Sequence, residues 1–246
     1  MKRPSWEVYL GFFLLALSVV LYIFHYVLFR DPHHIFIYMI GDIAFVPIEV
    51  LFVTLIIHKL LNEREKKSQM EKLNMIIGVF FSEVGTTLLA FFSDFDPKLD
   101  EIRKELIVTN DWSEKEFIEV SKRLKNYEYS VDIKKIGLNE LYRSLKGKRD
   151  FLTGLLENQN LLEHESFTDL LWAVFHLTEE LASRNDMKNL PDTDYEHLAL
   201  DIKRAYTLLV DEWLDYMNHL KDNYPYLFSL AMRTNPFDKD CSPVVR

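Results

Sequence analysis

Residues 41–57 read GDIAFVPIEVLFVTLII, an apolar run interrupted by two acids and a proline, and this run decides how the chain is interpreted. It belongs to a longer segment, residues 35–61, in which Asp42, Glu49 and Lys59 are the fully charged side chains. An earlier segment, residues 8–29, contains no full charge. As a helix that rises about 1.5 Å per residue, each segment can cross a hydrocarbon layer of about 30 Å. The sequence therefore predicts two membrane-spanning helices.

The link between the two segments is short. It reads RDPHH, residues 30–34, and its Asp-Pro step disfavours helix, so the two spans are predicted to form an antiparallel hairpin. Basic residues precede the first span at Lys2 and Arg3 and cluster after the second, whereas the link has only Arg30. The positive-inside bias predicts a multi-pass protein of the cell inner (plasma) membrane with both termini in the cytoplasm. The first segment is longer than the apolar core of a signal peptide and lacks a cleavage site, which favours a retained span.

The charge of the chain lies outside these spans. The charges of residues 1–61 cancel, so the net charge of -9 belongs to residues 62–246, which argues against non-specific nucleic-acid binding. The single cysteine, Cys241, excludes an internal disulfide and a cysteine-based zinc or redox site. Seven glycines in 246 residues and long periodic stretches favour helices throughout. The predicted fold is all-α: a transmembrane hairpin (1–61), a helical stalk (62–96) and a cytoplasmic helical-bundle domain (97–246).

The predicted stalk carries apolar residues at heptad spacing. Additional apolar side chains, such as Phe81 and Leu88, make this stripe wider than a two-stranded seam. The pattern therefore fits two arrangements equally, a helix that packs on its own domain and a stalk through which several copies of the chain associate. The candidate oligomer-stalk residues are Met70, Leu73, Ile77, Phe80, Val84 and Phe91.

Local signals predict the elements of the remaining chain. Asp96 and Pro97 resemble the start of a helix, and Ser113 with Glu116 has the spacing of a capping box. Residues 127–133, YEYSVDI, alternate in polarity as an extended segment does, although one short strand has no evident partner. Further helices are predicted at 139–158, 165–183, 192–221 and 224–234.

The acids of the second span form the first candidate site. Asp42 and Glu49 are seven residues apart and so face the same way on a helix, and Pro47 between them is predicted to kink it. A carboxylate facing lipid at mid-bilayer costs a few kcal/mol, so both acids are expected to meet protein or water. Depth along the hairpin pairs His25 with Asp42 and brings Ser18 level with Glu49. Three interpretations remain: polar contacts that fix helix register, a cation or proton path in an oligomer, and contact with a lipid or small ligand.

A second candidate site lies in residues 160–184, NLLEHESFTDLLWAVFHLTEELASR. Helical spacing puts Glu165, Asp169, His176 and Glu180 on one stripe, with His176 and Glu180 close enough to share a metal ion. Asp194 and His197 have a similar spacing on the next predicted helix, although a solvated or salt-bridged face explains the same pattern. No nucleophile elbow, phosphate loop or dinucleotide fingerprint occurs, so no catalytic residue and no cofactor other than a metal ion is predicted.

Four stretches together carry a resemblance: GDIAFVPIEVLFVTLIIHKLL (41–61), EKLNMIIGVFFSEVGTTLL (71–89), NLLEHESFTDLLWAVFHLTEEL (160–181) and YPYLFSLAMRTNPFD (224–238). The chain resembles an uncharacterised family of prokaryotic integral membrane proteins with two transmembrane helices. The resemblance covers nearly the whole chain and implies no activity.

The sequence thus favours an oligomeric, membrane-anchored helical module for interaction or sensing rather than an enzyme. Its expected partners are the lipid bilayer, other copies of the chain and a cytoplasmic protein, with no nucleic acid. The alternatives are an oligomeric cation or proton channel lined by the second-span acids and a metal-dependent membrane-bound enzyme.

Overall fold

The computed structural model describes residues 6–159, 161 and 164–245. Lys2 and Arg3 lie outside this range, although the predicted membrane orientation depends partly on them. Every regular element in the described part is helical, which confirms the all-α prediction. The chain divides into two compact units, Met1–Lys66 and Lys67–Arg246. The α-helices are α1 (Trp6–Phe29), α2 (Pro32–Phe80), α3 (Thr86–Ser93), α4 (Glu114–Leu124), α5 (Leu138–Lys146), α6 (Arg149–Leu156), α7 (Glu165–Ala182), α8 (Asp192–Asn223) and α9 (Pro225–Arg233).

The first unit contains α1 and the first part of α2. Two residues link the helices, and Arg30 has a left-handed backbone conformation with φ of 51°. The Asp31 carboxylate accepts hydrogen bonds from the backbone N–H groups of His33 (2.9 Å) and His34 (3.3 Å), so it caps α2, and Pro32 occupies the first helical position. Helix α2 continues through Pro47. By length and composition, both helices could cross a membrane.

The second unit begins with the end of α2, which is a core helix of this unit. Leu73, Ile77, Phe80 and Val84 are at most 4% exposed within the unit's own hydrophobic core. Side chains buried in their own domain are not available to form a seam with another chain, so the structure favours domain packing over an oligomeric stalk for these residues. Of the other two candidate stalk residues, Met70 is exposed and Phe91 is half-buried.

A single π-helical turn, Phe81–Gly85, joins α2 to α3. Phe80, Val84, Leu88 and Phe92 are buried at successive intervals of four residues. In an α-helix of 3.6 residues per turn, side chains four residues apart point in gradually different directions around the axis. The π turn has more residues per turn and compensates for this change of direction. The π turn therefore keeps one face of the segment in the core from α2 to α3.

The centre of the second unit is α8, which packs against α3, α4, α7, α9 and the π turn. Helices α5 and α6 pack against α7. Tyr206 of α8 is fully buried and contacts the rings of Phe92 and Tyr129. Helices α7 and α8 are thus held from several sides, and the candidate site lies on their shared surface.

Several local predictions are confirmed. The Ser113 hydroxyl accepts a hydrogen bond from the backbone N–H of Glu116, whose carboxylate accepts one from the backbone N–H of Ser113, as a capping box requires. Helices α7, α8 and α9 begin and end within two residues of their predicted limits. The helix predicted at 139–158 is confirmed only in part, because it is divided at Gly147 and Lys148 into α5 and α6.

Two local predictions are wrong. Two short 3₁₀ helices, Leu99–Glu101 and Arg103–Glu105, follow Asp96 instead of an α-helix. The Asp96 carboxylate accepts hydrogen bonds from the backbone N–H of Lys98 and from the hydroxyl of Tyr127, so it fixes a turn. Residues 127–133 form no strand, because none of the described residues offers a strand to pair with.

Candidate metal centre

Two histidines and a buried aspartate meet between α7 and α8. The Nε2 atoms of His176 and His197 lie 3.5 Å and 3.4 Å from Oδ2 of Asp201. One ligand atom from each of the three residues lies within 4.8 Å of the others. His197 and Asp201 are four residues apart on α8, and His176 and Glu180 are four residues apart on α7. Residues at this spacing share a helix face, so two such pairs meet across the packed helices.

Asp201 is the buried member of the cluster, with a side chain that is 3% exposed. Its Oδ1 accepts a hydrogen bond from Nη1 of Arg204 at 3.3 Å. Its Oδ2 is buried and has no hydrogen-bond partner among the described residues, although two imidazole nitrogens lie next to it. A buried carboxylate oxygen without a partner is costly, so this oxygen needs a proton donor or a cation.

Glu180 supplies a second carboxylate to the cluster. Its Oε1 lies 3.8 Å from Nε2 of His176, and its Oε2 lies 3.5 Å from Nε2 of His197. Arg184 donates a hydrogen bond of 2.8 Å to Oε2 of Glu180 and two more, of 2.8 Å and 2.6 Å, to the carboxylate of Asp194. The hydrogen bond from Arg184 lowers the pKa of Glu180 and also that of Asp194.

The cluster carries a net negative charge when its histidines are neutral. Three carboxylates, those of Glu180, Asp194 and Asp201, face two guanidinium groups, those of Arg184 and Arg204. The excess of one negative charge lies next to the two imidazole rings. A proton on one ring would cancel this charge, and a metal cation beside the rings would be attracted by it.

The chain shows two matches to family descriptions. Residues 69–233 match "Uncharacterized protein MJ1433, C-terminal helical domain", and residues 1–61 match "MJ1433, N-terminal helical domain". The chain belongs to the MJ1433 family. Uncharacterized protein MJ1433 of Methanocaldococcus jannaschii is 49% identical over 225 residues, which cover 92% of this chain and 90% of that protein. No solved structure matches the chain.

The MJ1433 family is uncharacterised, which confirms the resemblance to a family of unknown function. The family descriptions name no activity and no site residue.

The structure brings together only part of the predicted metal set. His176 and Glu180 lie in the cluster, together with His197. Glu165 and Asp169 precede His176 by 11 and 7 residues, which places them about 16 Å and about 10 Å away along α7. Asp201 was not predicted, although its spacing to His197 repeats the spacing of His176 to Glu180.

A groove of about 730 Å³ adjoins the cluster at His176. Its walls include the exposed apolar side chains of Trp172 and Leu200 and the basic side chains of Lys203 and Arg204. Asp169 lies at this groove rather than in the cluster. Solvent thus reaches the cluster from one side.

The other candidate site lies in the first unit of this MJ1433-family chain. Asp42 and Glu49 are both exposed on α2. His25 is half-buried and stacks on the ring of His34 with a centroid distance of 5.7 Å, and it forms no ion pair with Asp42 in the described part of the chain. Ser18 and His25 border one groove between α1 and α2. The structure thus places these residues on α1 and α2 but does not pair His25 with Asp42.

Proposed function

We propose that this protein is a membrane-anchored helical module for interaction or sensing. In this proposal, α1 and the apolar part of α2 lie in the cell inner membrane, both termini are cytoplasmic, and the second unit contacts a cytoplasmic partner. The observation that carries the proposal is the exposure of the two apolar helices. In each of them, none of the residues in the apolar stretch of 18 is buried.

Exposing apolar surface to water costs free energy, and this cost is why the exposure supports a membrane anchor. Soluble monomers rarely expose a continuous apolar patch larger than a few hundred Å². A core helix of a soluble protein has a similar length and composition, but its own chain covers it. Here both helices expose large apolar side chains along their whole apolar length, and a bilayer would remove this surface from water.

Membrane fractionation tests the proposal. The full chain should sediment with membranes, resist extraction by alkaline carbonate and high salt, and dissolve in mild detergent. The control is a chain that begins at Lys67 and lacks the exposed apolar helices, and it should remain in the soluble fraction. A full chain that is soluble and monodisperse without detergent would contradict the membrane anchor.

The orientation has a separate test. Reporter domains fused to either terminus should be inaccessible to protease in intact cells and accessible after lysis. Protection of one terminus and cleavage of the other would contradict the hairpin orientation.

A second candidate function is an oligomeric cation or proton channel. The observation that favours it is the exposure of Asp42 and Glu49 on the apolar part of α2. Carboxylates at this depth require water or another protein surface, and several chains around an axis would supply both.

Conductance across planar bilayers tests the channel. The wild-type chain should conduct cations, and the double variant Asp42→Asn, Glu49→Gln should lose most of this conductance. Asp94→Asn, an exposed acid of the second unit, is the matched control and should conduct as the wild type does. Absence of wild-type conductance, or equal conductance in the double variant, would exclude this lining.

A further inference from the structure

We propose that His176, His197 and Asp201 bind one divalent transition-metal ion of the zinc class. The proposal concerns the second unit and does not depend on the membrane anchor or the channel. It is carried by three observations: two imidazole nitrogens beside one carboxylate oxygen, the burial of that oxygen without a hydrogen-bond partner among the described residues, and two nitrogen-to-oxygen separations that suit a tetrahedral ion.

The separations between ligand atoms match zinc geometry. Zinc binds histidine nitrogen and carboxylate oxygen at about 2.0 to 2.1 Å, so two ligands of a tetrahedral ion lie about 3.3 to 3.4 Å apart. The two distances from Asp201 Oδ2 to the histidine Nε2 atoms are 3.5 Å and 3.4 Å. Neighbouring ligands of an octahedral magnesium ion would lie about 3.0 Å apart or closer. The separations thus favour a tetrahedral ion.

The remaining separation, between the ligand nitrogens of the two histidines, can adjust to fit the ion. Their rings are part of a group whose ligand atoms lie within 4.8 Å of one another. The side chains of His176 and His197 are 46% and 49% exposed, so each ring has room to rotate toward the ion. Asp201 lies in the core and provides the fixed position to which the two rings adjust.

The surroundings of the site also suit a cation. Arg204 donates to Oδ1 of Asp201, which leaves Oδ2 as the oxygen that faces the two rings. Glu180 lies 3.5 Å from Nε2 of His197 and can serve as the fourth ligand, or a water molecule can occupy that position. Bonds from surrounding residues that orient metal ligands in this way strengthen metal binding.

The donor set defines the class of ion. Imidazole nitrogen suits zinc, copper, nickel and iron, whereas calcium and magnesium prefer a shell of oxygen atoms. A site with two imidazole nitrogens and one or two carboxylates therefore selects a borderline transition metal. The groove beside His176 provides the path by which the ion reaches the site from solvent.

Metal titration of the full chain in detergent tests the proposal. The protein is prepared without an oligohistidine tag, stripped with a chelator and titrated with Co²⁺, whose visible absorption reports tetrahedral coordination. We expect one Co²⁺ per chain and its displacement by one equivalent of Zn²⁺.

Variants assign the ion to these residues. His197→Ala and Asp201→Asn should each weaken Co²⁺ binding by about tenfold or more and reduce the visible absorption. Asp169→Asn removes an exposed carboxylate from the same groove and should bind Co²⁺ as the wild type does. Because His197 is about half exposed, its variant should keep the helical circular dichroism of the wild type even if Asp201→Asn does not fold.

Two results would overturn the proposal. One is the absence of tetrahedral Co²⁺ absorption in the folded wild-type chain. The other is binding that remains unchanged in folded His197→Ala.

Discussion

Glu212 lies in α8 with a side chain that is almost completely buried, since the residue is 4% exposed. The pKa of this carboxyl is raised to about 7, mainly by burial. A hydrogen bond with Ser166 of α7 opposes this rise, and the nearby acids Asp215 and Asp211 add to it. The folded chain therefore holds a proton on Glu212 at pH values at which the unfolded chain has released it.

This difference in proton binding makes stability depend on pH. Between about pH 4.5 and pH 7 the folded state binds more protons than the unfolded state, so the free energy of unfolding falls as the pH rises. The loss from this group is about 3 kcal/mol once the pH exceeds 7. Glu212→Gln keeps the shape without the charge and should be more stable than the wild type at pH 8.

Thermal unfolding of the second unit at pH 4.5 and pH 8 measures this effect. The stabilisation of Glu212→Gln should be large at pH 8 and small at pH 4.5, where the wild-type carboxyl is protonated in the folded state. The control is Asp222→Asn, which replaces an exposed acid of the same helix and should leave the thermal stability unchanged at both pH values. A variant that is less stable at pH 8 would mean that the folded state favours the charged carboxylate.

Arg184 offers a second test at the residue scale. Its side chain is 14% exposed and bridges Glu180 and Asp194. Arg184→Met should lower the free energy of unfolding by about 2 kcal/mol, because it removes charged hydrogen bonds and leaves two carboxylates close together. The control is Lys134→Met, which breaks an exposed ion pair with Asp192 and should lower the free energy of unfolding much less, because solvent screens an exposed pair. Equal costs measured by chemical denaturation would show that the Arg184 bridge is no stronger than an exposed pair.

The sequence predicts part of the site at this scale. The sequence alone predicts that His176 and Glu180 lie close together, because their spacing depends only on helical geometry. Asp201 is not identified in that way, because its importance comes from burial against α7, which depends on how two helices pack. Glu165 and Asp169 lie on the same side of α7 as His176 but too far from it along the helix axis. A helical stripe shows which residues share a side of the helix, but it does not show how far apart they lie.

At the scale of elements, the π turn between α2 and α3 depends on Gly85. A Cβ atom at this position would lie 2.5 Å from Cδ1 of Phe81 and 3.0 Å from Cε1 of Phe80, both buried rings. Gly85→Ala should therefore lower the free energy of unfolding by about 1 to 3 kcal/mol. The matched control is Gly154→Ala in α6, where nothing lies within 4 Å and alanine should stabilise the helix by about 0.5 to 1 kcal/mol. If both variants have the same stability in thermal unfolding, then the π turn tolerates a side chain.

The helices were easier to predict than the segments between them. Amphipathic spacing and end signals predicted α7, α8 and α9 closely, because those signals are local. The break between α5 and α6 carries no proline, and the irregular path of residues 127–133 depends on contacts with distant residues, such as the hydrogen bond from the backbone N–H of Asp132 to the carbonyl of Phe95. The π turn is also invisible to a heptad count, which assumes a constant number of residues per turn.

At the scale of the whole molecule, the hydrophobic core belongs to the second unit. The buried hydrophobic residues of the described chain run from Leu73 to Phe237, and none lies before Leu73. A chain that begins at Lys67 should therefore fold without the apolar helices and unfold cooperatively in circular dichroism. A chain that begins at Val84 lacks Leu73, Ile77 and Phe80 and should not fold. Aggregation of the chain that begins at Lys67 in the absence of detergent would show that the second unit needs the first unit to fold.

The sequence could not decide between self-association and domain packing for the segment after the second span. Both arrangements bury the same apolar stripe, so the pattern of residues 70–91 fits either. The distinction depends on whether other helices of the same chain cover that stripe, and here α8 packs against its later part, the π turn and α3.

The position of α8 also has a consequence for the motions of the second unit. Because α8 packs against three other α-helices besides α7, and against the π turn, its middle cannot open while the rest of the unit stays intact. The backbone amides around Ala205, Leu209 and Trp213 should then exchange their hydrogens for deuterium only when the entire unit unfolds. Their exchange rates would report the global stability of the unit directly, whereas the ends of α4, α5 and α6 would exchange through smaller openings.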